Sequence, residues 1–289
     1  MAVYLGYDQA ALDSAYDQMV YAPNRDQLFR RYEALSDAVR ARLGAPLRFA
    51  YGPTEAEHLD VFRTAQPNAP ILVYVHGGAW RRTPAERFAF PAEAVVAAGA
   101  HYVVLEFAGV DDLGGDLRPM VRQVRSAIGW LYANAAGFGG DRRRIVVLGH
   151  SSGAHITGCL LVTDWTAFGV PQNPIASAIC CSGMYELVPV SLSKRSAYVN
   201  FDPETIDALS SCRRIDRIGV PVTVAYGTEE SPEFQRQNRE FAAALGAAGK
   251  DVQLLVGEGY NHFEIVETLA NPYGLLGAVA RTHLQRSAC

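Results

Sequence analysis

The sequence lacks several features that would assign the chain to a simple functional class. It has no long uncharged apolar run, because its most apolar stretch, residues 92–110, is interrupted by Glu93, His101 and Glu106. This excludes a membrane-spanning helix there. Among its basic residues there is only one dense cluster, at residues 142–144, and we expect this cluster to lie in a solvated turn before a strand. With a formal net charge of -4, the chain is not expected to bind nucleic acid.

Cysteines are few and show no metal-binding spacing. Five are present, three of them in apolar runs, and their odd number argues against a disulfide framework. Residues 1–8 contain neither a basic nor an apolar signal region. We therefore expect reduced thiols and a cytoplasmic location. No Walker-type phosphate loop occurs and the seven histidines are scattered, so we expect neither a cofactor nor a bound metal.

The chain instead contains an alternation of short apolar strands and helical patterns. Strands are predicted at residues 47–51, 59–63, 71–75, 102–107, 145–148, 176–181, 222–226 and 252–256. Helices are predicted within residues 9–44 and at 85–98, 117–135, 153–162, 232–248 and 274–285. This alternation predicts an α/β fold with a mostly parallel sheet of about eight strands and helices on both faces.

No linker or internal repeat divides the 289 residues. We therefore expect one domain over residues 1–289, with residues 1–45 packed on it as an N-terminal helical segment. Residues 184–216 show weak periodicity and are expected to connect the sheet to a region near a substrate pocket.

Residues 149–153 read Gly-His-Ser-Ser-Gly and lie between a predicted strand and a predicted helix. A Gly-x-Ser-x-Gly sequence in this position forms a turn so sharp that only small residues fit two positions either side of the serine. We expect Ser151 to be a nucleophile and the backbone N–H of Ser152 to help stabilise an oxyanion. This arrangement resembles the nucleophile elbow of the α/β-hydrolases.

A serine nucleophile needs a base that is oriented by an acid, and in α/β-hydrolases the chain order is serine, acid, histidine. His262 lies in a loop just after the last predicted strand, where this fold presents its base. His155 lies on the elbow helix and cannot easily reach back over its own serine. His283 is expected at the surface of the last helix. The predicted base is therefore His262.

The acid is expected in the loop after the strand at 222–226, which contains no aspartate. Glu233 follows a serine and a proline that predict a helix start, so we interpret it as a capping or helix-dipole carboxylate. Glu229 and Glu230 both lie in the loop itself. Glu230 is the preferred acid, with Glu229 as the alternative.

Residues 76–80 read His-Gly-Gly-Ala-Trp and directly follow the third predicted strand. Glycines at 77 and 78 let backbone N–H groups turn inward, so Gly77 and Gly78 are predicted to complete the oxyanion hole. His76 is expected to be a structural hydrogen-bonding residue. For Trp80, a position lining the substrate pocket and a position in the core are predicted equally. The candidate pocket-lining residues are Trp80, His76, Phe107 and Tyr260.

Together these motifs resemble the kynurenine formamidase, or arylformamidase, branch of the α/β-hydrolases, a relative of the hormone-sensitive-lipase-like esterases. The most specific match is residues 231–237, Ser-Pro-Glu-Phe-Gln-Arg-Gln, which resembles the family's acid-Ser-Pro-Glu-Phe-x-Arg-Gln segment. That resemblance places the acid directly before Ser231 and so favours Glu230. Further matches at residues 59–62, 124–132 and 182–187 extend it over nearly the whole chain.

The resemblance implies a cofactor-free serine hydrolase that cleaves a carboxylic amide or ester through an acyl-enzyme. Its partner would be a small molecule, N-formylkynurenine or a similar aryl formamide. The alternative is a carboxylesterase for short-chain or aryl esters. A non-catalytic binding protein on the same scaffold is disfavoured, because all three candidate triad residues are present. Related folds often pair, which leaves a homodimer open.

The sequence departs from the family's pattern at two places. The family usually has aspartate as the acid, where this chain has Glu230. The family also commonly has Tyr-x-Leu-x-Pro where this chain has residues 107–112, Phe-Ala-Gly-Val-Asp-Asp. Because that loop lies near the pocket in such folds, the second departure leaves the exact substrate open.

Overall fold

The structure, a computed structural model, describes residues 2–171 and 173–286 and is organised around an eight-stranded sheet. In chain order the strands are β1 (Leu47–Ala50), β2 (His58–Phe62), β3 (Ala69–Val75), β4 (His101–Leu105), β5 (Gly140–His150), β6 (Ile175–Cys181), β7 (Val222–Gly227) and β8 (Val252–Gly257). Their spatial order is β1-β2-β4-β3-β5-β6-β7-β8. β2 pairs antiparallel with β1 and β4, and the other neighbours are parallel. The predicted α/β architecture is confirmed.

β5 is longer than the sequence predicted. It begins at Gly140, so residues 142–144 lie within the strand and not in a turn before it. The expectation of a turn was wrong because the strand contains an irregularity. Gly140 pairs with Ala69, but the next pair joins Ile145 to Ile71, so the arginines fall in the stretch where the register shifts. Arg142 and Arg143 remain exposed there.

Ten α-helices surround the sheet within the described residues. They are α1 (Gln9–Ala15), α2 (Arg25–Leu43), α3 (Ala92–Ala97), α4 (Leu117–Asn134), α5 (Ser152–Leu161), α6 (Val188–Ser191), α7 (Pro203–Leu209), α8 (Pro232–Ala247), α9 (Glu264–Glu267) and α10 (Leu275–Gln285). The helix predicted over residues 85–98 is divided into a 3₁₀ turn, Ala85–Phe88, and α3. Pro91 precedes α3 and cannot donate the backbone hydrogen bond that a continuous helix needs.

Two apolar cores cover the two faces of the sheet. Along β3, Ile71 and Val73 face one core and Leu72 and Tyr74 face the other, as alternation along a strand requires. The first core contains residues of α4, α5 and α8, and the second contains residues of α2, α3 and α10. None of the helices in the described part of the chain is both long and apolar enough to span a lipid bilayer.

The N-terminal helices contribute to both cores. Leu12 of α1 and Tyr16, which directly follows that helix, pack in the first core, whereas Leu28 and Tyr32 of α2 pack in the second. The chain between the two helices therefore passes from one face of the sheet to the other. It does so at the end where β7 and β8 stop, because its side chains bond to the loops that follow those strands.

The junction between β5 and α5 is packed against the end of β3. A Cβ atom at Gly153 would overlap the backbone carbonyl oxygen of Val75, and one at Gly149 would overlap the Gly153 carbonyl. Backbone atoms at the centre of a sheet cannot move aside easily. Glycine is therefore required at both positions by close packing.

We expect Gly153→Ala to lower the free energy of unfolding by about 3 kcal/mol, the upper end of the usual cost of overpacking, because the added methyl group would collide with backbone. Gly219→Ala is the matched control, since a Cβ atom there meets nothing within 4 Å. The control is expected to change stability by less than about 1 kcal/mol. Urea unfolding measures both, and equal midpoints for the two variants would contradict the packing argument.

Several histidines are buried in the protein and not at its surface. His283 was expected to be exposed, but this was wrong: it is 5% exposed and its Nε2 lies 2.9 Å from Thr223 Oγ1. The reason is that α10 packs against the sheet and turns this residue toward β7. Burial lowers the pKa of His283, of His76 and of His155 to about 4 in each case. All three are therefore neutral at pH 7.

The depressed pKa values predict acid destabilisation. The unfolded chain binds protons at these histidines below a pKa of about 6.5, whereas the folded chain resists protonation down to about 4. The free energy of unfolding should therefore fall between these two pH values, by up to about 3 kcal/mol for a fully buried histidine such as His155. His155→Gln keeps one donor and one acceptor without titrating, so its stability should fall less over the same window. Urea unfolding from pH 7 to pH 4 measures the difference, and identical slopes would refute the assignment.

Candidate active site

Ser151 occupies the sharp turn between β5 and α5. Its backbone has φ +57° and ψ −124°, a conformation that costs a non-glycine residue on the order of 1–3 kcal/mol. Its N–H donates to the Cys181 carbonyl (2.9 Å), which joins the turn to the end of β6. The residue is 6% exposed. The turn predicted from residues 149–153 is thus present, with the serine held in a strained backbone by its neighbours.

Glu230 and His262 form a buried pair in the loops after β7 and β8. Each is 2% exposed, and His262 Nδ1 lies 3.0 Å from Glu230 Oε2. Because an ionised carboxylate only accepts hydrogen bonds, Nδ1 donates and Nε2 is left to act on another group. Glu229, the alternative acid, is exposed. The structure therefore brings Glu230 to the histidine.

The second oxygen of the Glu230 carboxylate is also occupied. Oε1 accepts hydrogen bonds from Ser182 Oγ (2.6 Å) and from the Gly227 N–H (2.7 Å). Ser182 has φ +58°, a left-handed conformation at the carboxyl end of β6. Ser182 lies in the family match at residues 182–187, but no role was predicted for it from the sequence. Its position directly after a buried strand that neighbours β7 was the available signal.

His150 supports His262 from within the elbow. Its Nε2 donates to the His262 carbonyl oxygen (2.8 Å), and the two ring centroids are 4.6 Å apart. Burial and the neighbouring His262 lower the pKa of His150 well below its ordinary value, so it is neutral. The rings of Phe234 and Phe263 also meet His262 edge-on, each at 5.1 Å between centroids. The sequence analysis missed the contribution of His150, although the residue directly precedes Ser151.

The glycine loop after β3 approaches the serine closely. A Cβ atom at Gly77 would lie 2.9 Å from Ser151 Cβ, and Gly78 has φ +127°, which a side chain would strain. The Trp80 N–H donates to Ser152 Oγ (3.1 Å) and so ties the loop to the first residue of α5. N–H groups at the start of a helix lack intrahelical acceptors. The three predicted oxyanion-hole residues therefore belong to two segments that meet at Ser151.

His76 is part of an aromatic stack beside this loop. Its ring lies parallel to those of Phe107 (4.3 Å between centroids) and Phe88 (5.5 Å). Its Nδ1 donates to the Gly77 carbonyl (2.9 Å), and its pKa is lowered by burial. This neutral, stacked imidazole is bonded to the backbone of the loop. That its role is structural stays a prediction.

Trp80 is packed in the core. It is 1% exposed, and its Nε1 donates to His155 Nδ1 (3.1 Å), while His155 Nε2 donates to the Leu209 carbonyl (3.1 Å). Both ring nitrogens of His155 are therefore bonded to residues outside the loop that carries His262. Phe107 is also buried, and Tyr260 is half-buried against Gly227. That these residues and His76 line a substrate pocket stays a prediction.

The chain is similar in sequence to known hydrolases. A family model described as BD-FAE matches residues 59–166. Kynurenine formamidases from Danio rerio and Salmo salar are 31% and 32% identical, and in both cases the match covers 78% of this chain and 77% of the relative. The esterase LipC from Mycobacterium tuberculosis is 27% identical, over 70% of this chain and 55% of LipC.

Solved structures share its fold. A Silicibacter protein, provisionally assigned as a thioesterase, has a TM-score of 0.81 at 24% identity and covers 93% of this chain and 98% of its own. The esterase LipW from Mycobacterium marinum has a TM-score of 0.71 at 15% identity and covers 94% and 92%. At these identities the likeness shows the α/β-hydrolase fold alone. The sequence match to the two formamidases goes further, and on that match the chain belongs to the kynurenine formamidase family of α/β-hydrolases.

Proposed function

We propose that this protein is a serine hydrolase that removes the formyl group from an aryl formamide such as N-formylkynurenine. Ser151 is the nucleophile, His262 the general base and Glu230 the acid that orients it. The observation that carries the proposal is the buried hydrogen bond from His262 to Glu230 in loops beside the strained Ser151 turn. Membership of the kynurenine formamidase family supports the choice of substrate.

The reaction proceeds in two halves. Ser151 Oγ attacks the formyl carbon as its proton passes to His262 Nε2, and Glu230 stabilises the resulting imidazolium. The N–H groups of Gly77, Gly78 and Ser152 hold the oxyanion. The tetrahedral intermediate then expels the aryl amine, which takes the proton from His262. Water, deprotonated by His262, attacks the formyl-enzyme; the bond from the formyl carbon to Ser151 Oγ then breaks as His262 returns the proton to Oγ, which releases formate and restores Ser151.

The proposed substrate is a small molecule and the mechanism uses no cofactor. We further propose that the protein acts in the cytoplasm. Its cysteines in the described residues, Cys159, Cys180, Cys181 and Cys212, are free thiols. Unpaired cysteines suit a reducing compartment.

A carboxylesterase acting on short-chain or aryl esters is the second candidate function. The loop at residues 107–112 departs from the family's pattern. It packs against the glycine loop after β3, residues 76–80, because the Val110 N–H donates to the Trp80 carbonyl (2.7 Å). A Cβ atom at Gly109 would overlap the backbone of Arg82. A changed sequence in direct contact with the oxyanion loop is a plain route to a changed acyl preference.

Turnover of N-formylkynurenine beside p-nitrophenyl acetate separates the two functions. We expect the formamide to have the higher kcat/KM, and we expect Ser151→Ala to lower turnover of both substrates by about 10³-fold or more. Ester turnover alone, lost in Ser151→Ala, would favour the carboxylesterase. Turnover that survives in Ser151→Ala would refute the serine mechanism.

The assignment of the acid is tested by a matched pair of neighbouring glutamates. Glu230→Gln keeps the size of the side chain but cannot stabilise an imidazolium, so kcat should fall by about 10³–10⁴-fold. Glu229→Gln, at the exposed neighbour, should leave kcat within about twofold of the unmodified enzyme. Steady-state kinetics at pH 7.5 on the better substrate measures both, and the reverse pattern would assign the acid to Glu229.

A further inference from the structure

The chain between α1 and α2 touches both loops that carry the acid and the base. Residues 18–24 span only seven positions, yet side chains at the two ends of this stretch bond to Ser231 and to Asn261. Ser231 directly follows Glu230, and Asn261 directly precedes His262. A single short segment is therefore bonded to the immediate neighbours of both members of the buried pair.

Gln18 holds the loop that follows β7 and carries Glu230 through two hydrogen bonds. Its Nε2 donates to Ser231 Oγ (2.6 Å), and its Oε1 accepts from the Ser231 N–H (3.2 Å). Ser231 Oγ in turn donates to the Ala15 carbonyl at the end of α1 (2.6 Å). Gln18 is 4% exposed, so these bonds are shielded from competition with water. The backbone position next to Glu230 is thereby fixed from the N-terminal side.

Asn24 holds the loop that follows β8 and carries His262, also through two side-chain hydrogen bonds. Its Oδ1 accepts from Asn261 Nδ2 (2.9 Å), and its Nδ2 donates to Glu264 Oε1 (2.7 Å). Asn261 and Glu264 are also joined to each other, because the Asn261 N–H donates to Glu264 Oε2 (3.0 Å) and the Glu264 N–H donates to Asn261 Oδ1 (3.1 Å). Asn24 is therefore bonded to both ends of residues 261–264, and the chain between these ends contains His262.

From this arrangement we infer that Gln18 and Asn24 are positioning residues, which set the separation and alignment of Glu230 and His262 from outside the catalytic loops. The inference rests on the proposed function. Neither residue contacts the carboxylate or the imidazole; each acts through the adjacent residue of a loop. Misplacement of a reacting group by about 1 Å can lower a rate by about 10²-fold, so small shifts of either loop matter.

Other contacts keep the N-terminal segment attached when either side chain is removed. Tyr16 Oη donates to Glu233 Oε2 (2.8 Å), Tyr32 Oη donates to the Phe263 carbonyl, and Arg31 pairs with Glu267. Truncation of Gln18 or Asn24 should therefore loosen one loop without releasing the helices. This makes the inference testable in folded protein.

The experiment compares Gln18→Ala and Asn24→Ala with Gln9→Ala. Gln9 lies in α1, within the same N-terminal part of the chain. Its side chain donates to Asp13 (2.9 Å) and to the Leu192 carbonyl (2.8 Å) and not to either of the loops that carry Glu230 and His262. Each positioning variant should lower kcat by about 10- to 100-fold with KM within about threefold. The low-field proton resonance of His262 Nδ1 should shift or broaden in both variants. Gln9→Ala should leave kcat and this resonance unchanged.

The same substitutions are then made in a Glu230→Gln background, where the pair to be positioned no longer exists. Gln18→Ala and Asn24→Ala should there lower kcat by less than about twofold further, because the effects of residues that act as one unit are not additive. Unchanged kcat in the single variants, or equal losses with and without Glu230, would overturn the inference. If Glu230→Gln itself retains full activity, the proposed triad fails instead, so the two failures are distinguished.

Discussion

The hydrogen bond between the Glu230 carboxylate and the His262 imidazole is the interaction on which the rest of the site depends. Both side chains are almost completely buried, and a buried carboxylate is strongly disfavoured unless donors surround it. Three donors are supplied, by His262, by Ser182 and by the Gly227 backbone. Both oxygens of the buried carboxylate therefore accept hydrogen bonds, and the side chain is held in one orientation against the imidazole.

The parallel sheet explains why these groups meet. β5, β6, β7 and β8 are consecutive neighbours, so their carboxyl ends, and the loops that follow them, lie at one edge. Ser151 follows β5, Ser182 follows β6, Glu230 follows β7 and His262 follows β8. Residues more than a hundred positions apart are brought together because each lies in the turn or loop that follows a strand of the same sheet. The His150 bond to the His262 carbonyl then spans from the first of these loops to the last.

The segment at residues 231–237, the most family-specific stretch of the sequence, also has a physical explanation. Ser231 bonds to Gln18, Glu233 bonds to Tyr16 and Arg236, and Gln237 donates to Tyr16 Oη (3.1 Å). The segment that follows Glu230 therefore also binds the chain just after α1. Because Ser231 directly follows Glu230, the hydrogen bonds from this segment to the N-terminal chain also hold the loop that carries Glu230.

The sequence by itself determined the sheet, the Ser151 turn and the choice of His262, because these depend on local patterns: apolar runs, glycine spacing and order along the chain. It narrowed the acid to two adjacent glutamates and favoured Glu230 through the family resemblance. The tertiary structure gives the physical distinction, since Glu230 is buried with a 3.0 Å contact to His262 whereas its neighbour is exposed. The inward position of His283, and the roles of Ser182, Gln18 and Asn24, were likewise decided by the tertiary structure. The side-chain partners discussed above lie between 48 and 240 positions away in the chain, where no local pattern can indicate contact.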